Sequence, residues 1–195
     1  MSSEALWFAT RAAGVVSLLL FTAVVVMGQL ARLRVESATW PRFLSADLHR
    51  NLSLLSLVFL TIHIVTAVVD PFTSLGIAPV VLPFGSSYRR FWLGLGTVAF
   101  ELTLALIGTS LVRSRVGLRA WRAIHWLAYA AWPIAVLHGV GTGTDSFSPW
   151  LLAITLACVG AVLAVTVWRL RAAPLDPLRS VRRHAVARHR VSRSR

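Results

Sequence analysis

Four of the chain's six histidines, His49, His63, His125 and His138, fall inside or at the edge of long apolar runs, as two pairs spaced by 14 and 13 residues. An ionisable ring in a membrane span is costly and rare, so four of them call for a ligand. At 1.5 Å rise per residue, the members of each pair stand about 20 Å apart along their helix. At about 100° per residue, His63 falls roughly 40° from the face that carries His49, so one side of a helix holds both rings. The same arithmetic leaves His138 roughly 140° from His125 on an unbroken helix. Pro133 lies between them, and a kink or local overwinding there is the expected way to restore the facing.

The two histidine-bearing runs are separated by one other run, so they cross the bilayer in the same direction. His49 then shares a level with His125, and His63 with His138. One imidazole on each side of an iron-bearing macrocycle matches b-type haem ligation, whereas zinc generally takes three or four protein ligands at one point. No Cys-x-x-Cys-His is present, which excludes covalent c-type attachment, and the single cysteine, Cys158, provides neither a disulfide nor a CxxC centre. Two non-covalent haem b groups are therefore expected, with the four histidines as the metal ligands. Haem propionates need cations nearby. Arg50 and Arg122 adjoin the ligands at one level, with Arg119 a helical step further, and Arg11, Arg89 and Arg90 are the cations available at the other. The same arginines would also serve as interfacial anchors.

The competing chemistry is a haem-free bundle that uses its histidines as a proton or ion pathway, which requires intramembrane acids in line with them. Glu101, near the middle of the third run, is one such acid. It is read first as a carboxyl hydrogen-bonded to serine or threonine inside the bundle, and second as a proton carrier or tuner of haem potential. Trp126 and Trp132 are the tryptophans expected to pack on a haem, and Trp7, Trp40, Trp92 and Trp150 fit interfacial belts.

The elements that must carry these rings are apolar helices. Of 195 residues, 56% are hydrophobic and 14% charged, and the mean hydropathy is +0.71. A span needs roughly 20 mostly apolar residues, and five such runs are present, at about 12–31, 52–69, 91–112, 123–140 and 149–168. The expected fold is an all-α integral membrane bundle of five transmembrane helices over residues 1–171, with no room for a soluble catalytic domain of ordinary size. The first run is too long for a secretory signal and has no convincing cleavage site, so it reads as an anchor that stays. Residues 71–88, with three prolines, read as a cap over one end of the bundle, and the glycines of residues 139–145 as a flexible turn and not a nucleotide loop.

The net charge of +13 comes from twenty arginines, without any lysine, against seven acids. Seventeen arginines lie in the first and third connections and the tail, and three on the other side. The positive-inside rule then places the N-terminus outside and the C-terminus in the cytoplasm. Residues 172–195 form a basic, disordered tail suited to anionic lipid, with nucleic acid the weaker partner and not adopted, and with His184 and His189 solvated.

The pattern His49-x13-His63 and His125-x12-His138, with Leu48-His49-Arg50-Asn51 and Ala120-Trp121-Arg122-Ala123-Ile124-His125-Trp126, resembles the ferric reductase-like transmembrane domain family. That superfamily includes NADPH oxidases, eukaryotic ferric reductases and the haem subunit serving a bacterial periplasmic methionine sulfoxide reductase. The resemblance covers about residues 5–171. It implies two stacked b haems carrying electrons across a cell membrane, here a bacterial plasma membrane, from a cytoplasmic donor to an extracytoplasmic acceptor: ferric iron, oxygen or a partner reductase. Many members have six helices, so a helix preceding the first is expected to be missing here. The flavin and NADPH domain of the oxidases also has no counterpart in the roughly 24 residues after the last run. The chain therefore reads as an oxidoreductase component fed by a separate flavoprotein or a quinone.

Overall fold

A computed structural model describes residues 3–32, 42–71 and 75–172. Within them the chain is helical, without a strand: α1 (Ser3–Arg32), α2 (Arg42–Val69), α3 (Ala78–Val81), α4 (Arg90–Leu111), α5 (Arg113–Val116), α6 (Leu118–His125), α7 (Ala128–Thr142) and α8 (Pro149–Arg171). Five spans among the described residues are long and apolar enough to cross a bilayer: Glu4–Ala31, Leu44–Val69, Arg90–Leu111, Leu118–Thr142 and Pro149–Arg171. The protein is a multi-pass membrane bundle, as expected. Most spans outrun the apolar stretches in the sequence because a helix continues through the interface, where polar side chains such as Asp47 are exposed while the backbone stays bonded to itself.

The helices surround a gap. α2 packs chiefly along α1, and α1 turns its other side to α8 and α7. There the tight core forms, with Val25, Trp132, Cys158 and Val162 buried together. Two side-chain hydrogen bonds cross between helices there: Trp132 Nε1 donates to Thr22 Oγ1 at 3.0 Å, and Thr166 Oγ1 donates to Gln29 Oε1 at 3.0 Å. α4 packs on α7 from the far side. The space enclosed by α1, α2, α4 and α7 includes a cavity of about 320 Å³ that has His63 and His138 in its wall.

Three expectations change. Glu101 is exposed. It lies about 160° around α4 from Thr103, which lines the cavity, so it points away from the bundle interior. The glycine segment is not a loose turn: α7 runs on to Thr142, and Gly141 offers the close approach that the Trp92 ring requires. Trp132 belongs to the core just described and does not line the cavity, while Trp126 is half exposed with Arg169 over its ring. The connection before α4 does cover one end of the bundle, since Thr97 Oγ1 donates to Pro79 O at 2.6 Å and Phe84 lies against Gly94. The basic tail from residue 173 onward, with His184 and His189, lies outside the described residues.

Candidate functional site

The four histidines meet in the pairs expected. His49 and His125 have ring centroids 6.4 Å apart with planes crossed at 59°, and His63 and His138 are 6.3 Å apart with planes crossed at 80°. Two metal–imidazole bonds of about 2.0 Å, plus roughly 1 Å from each nitrogen to its ring centre, would put the centroids about 6 Å apart, close to both separations. The rings thus form two separate facing pairs. Among the described residues no group of three or more His, Cys, Asp or Glu gathers.

α2 needs no distortion to bring this about, because 14 residues nearly close on the helical period. The fourth span does. Between α6 and α7, Leu127 N donates to Ile124 O at 2.9 Å, Tyr129 N to Trp126 O at 3.1 Å and Ala130 N to Leu127 O at 3.0 Å. Such i→i+3 bonds wind the chain about 20° per residue faster than an α-helix, in the direction that reduces the missing 140°. The overwinding therefore lies directly after His125 and ahead of Pro133. Both ligands of the span consequently face α2.

Two of the rings are held from behind. His63 Nδ1 donates to Thr10 O at 2.8 Å, and His138 Nδ1 to Trp92 O at 2.9 Å with Thr142 Oγ1 at 3.2 Å. A carbonyl on Nδ1 fixes the tautomer that leaves Nε2 with its lone pair toward the partner ring, which is the state a metal ligand needs. His125 instead stacks on Trp121, with centroids 4.9 Å apart and planes inclined at 28°. Trp121 is itself bonded to Ser110 Oγ at 3.2 Å and lies under Arg113. Glycines make room for three rings: Gly14 beside His63, Gly28 beside His49 and Gly96 beside His138.

The arginines divide. Arg11 lines the His63/His138 cavity, lies over Trp7 and pairs with Asp145. Arg89 donates to Gly141 O at 2.7 Å and Thr142 O at 3.3 Å, closing the end of α7, and Arg90 donates to Phe84 O at 2.6 Å. Arg50 and Arg122 are exposed next to His49 and His125.

The sequence reads Trp92 as an interfacial residue and Trp121 as part of the family motif, and does not single out the three glycines. Two signals pointed to them. Gly14 and Gly28 have the same 14-residue spacing as His49 and His63, and Trp121 stands one helical turn before His125.

No curated protein and no solved structure matches the chain significantly. The profile of the family described as "ferric reductase like transmembrane component" matches residues 13–136, more than half of the chain and a span that includes His49, His63 and His125, and the protein belongs to that family.

Proposed function

We propose that this protein conducts electrons across the membrane through two b haems, one held by His49 and His125 and the other by His63 and His138. The observation that carries the reading is the repeated separation of 6.4 and 6.3 Å between facing imidazoles at two depths of one bundle. Membership in a family whose domains generally bind haem supports it. When bound, each haem iron supplies one-electron chemistry; the chain's residues supply ligation, ring orientation and exclusion of water. Arg50 and Arg122 would neutralise propionates at the His49/His125 level, and Arg11, shared with Asp145, would do so at the other. Arg89 serves the same end less directly, since its guanidinium already bonds to carbonyls of α7.

Arginine distribution orients this path. With seventeen of twenty arginines at the His49/His125 side, that level faces the cytoplasm, and the His63/His138 level faces outward. Residues 1–171 form the haem-binding domain, and residues 172–195 a basic tail that contacts anionic lipid. A separate cytoplasmic flavoprotein, or a quinone, donates. An external acceptor such as ferric iron, oxygen or a partner reductase receives.

The test is an optical spectrum of the purified protein, oxidised and dithionite-reduced, with haem quantified per chain. Two b haems are expected, one lost in His49→Ala and the other in His63→Ala. A colourless protein from haem-replete cells would overturn the proposal and return the histidines to the proton-pathway reading.

A further inference from the structure

Two of the rings share one local construction that the spacing of the histidines does not reveal. Each is bonded to a backbone carbonyl, and four residues later on that same neighbouring helix stands a glycine against the ring: Thr10 then Gly14 for His63, Trp92 then Gly96 for His138. Gly28 lies beside His49 without such a hydrogen bond on the ring. Residues four apart lie on one face of a helix. The carbonyl therefore holds Nδ1 while the bare glycine backbone, one turn on, admits the flat of the ring. A Cβ at Gly96 or Gly14 would press on the ring and move it relative to that carbonyl.

We infer that Gly14 and Gly96 are positioning residues that set the rotation of their imidazoles, and that sensitivity at these two, and at Gly28 beside His49, follows the room each leaves. This rests on the bis-histidine haem reading above. A Cβ at Gly96 would stand 2.5 Å from both Cε1 and Nδ1 of His138, closer than such atoms approach, so the ring must turn. At Gly14 the nearest atom, Nδ1 of His63, is at 3.0 Å, which a small displacement relieves. At Gly28 the nearest atom, Cε1 of His49, is at 3.4 Å, an ordinary contact. The expected order of sensitivity is Gly96, then Gly14, then Gly28. Two of the three lie against the His63/His138 pair, so that level is the more tightly set. At the other level His125 has a tryptophan in place of a glycine niche.

The experiment compares Gly96→Ala, Gly14→Ala and Gly28→Ala in the full-length protein, with Gly160→Ala as control because nothing lies within 4 Å of a Cβ there. Haem per chain, the midpoint potential of each haem and the low-spin EPR signal, whose anisotropy follows the angle between ligand planes, are read together. In Gly96→Ala the His63/His138 haem should bind about tenfold more weakly or show an altered EPR signal, as loss of an outer-shell contact does. The His49/His125 haem of that variant should remain normal, which certifies the fold. Gly14→Ala should shift the same haem less, and Gly28→Ala should produce the smallest change, confined to the other haem. A Gly96→Ala protein with both haems unaltered, or with both lost together, would overturn the inference, as would a Gly28→Ala effect exceeding that of Gly96→Ala. An unmodified protein without haem would instead remove the functional reading on which the inference stands, so the two failures are distinct.

Discussion

At the residue scale, the site is decided by what stands behind the ligands. Histidine identity was legible from the sequence because ionisable side chains are conspicuous in apolar runs. The supporting groups were not, because backbone carbonyls carry no sequence signature and a glycine in a span has many uses. Trp121 shows the difference. Its stacking on His125 predicts that Trp121→Ala will disturb the His49/His125 haem in potential or occupancy, measured by redox titration, while the His63/His138 haem stays unchanged. Trp126→Ala should leave both haems as they are, since Trp126 lies half exposed beneath Arg169. Glu101→Gln should likewise leave both optical spectra unaltered, because the carboxyl is exposed on the side of α4 turned from the cavity. Had Glu101 been a tuner of potential, the same titration would move.

At the element scale, five runs of hydropathy located five spans, and the 14-residue spacing correctly put two rings on one face of α2. The fourth span resisted because its solution is a change of winding that no residue type announces. Proline was the visible irregularity, yet the i→i+3 bonds occur at residues 124–130, before it. Pro133→Ala should therefore retain both haems, as counted by pyridine haemochrome. Insertion of one alanine between Leu127 and Ala128 turns His138 by about 100° and should release the haem at that level alone. The Trp132–Thr22 hydrogen bond is a separate matter of stability: Trp132→Phe should cost about 1 kcal/mol, read from thermal unfolding, without altering either haem.

At the scale of the whole molecule, the bundle is unevenly built. α1, α7 and α8 share a packed core, whereas α2 rests chiefly on α1 and looks across a gap to the histidines of α6 and α7. Ligands that bind only the folded state stabilise it by mass action. The haem-free protein should accordingly exchange amide hydrogens fastest in α2, with protection retained around Val25, Trp132, Cys158 and Val162. Uniform protection across all spans would contradict this division.

The matched intervals in α1 and α2 have a consequence for how such a gene can change. Gly14 to Gly28 and His49 to His63 run antiparallel and span equal lengths, like two rulers laid side by side with their marks aligned. A codon gained or lost within either interval moves one mark off its partner and rotates everything beyond it. Drift in length is therefore forbidden between the marks, so length polymorphism among descendants of this sequence should be absent from both intervals.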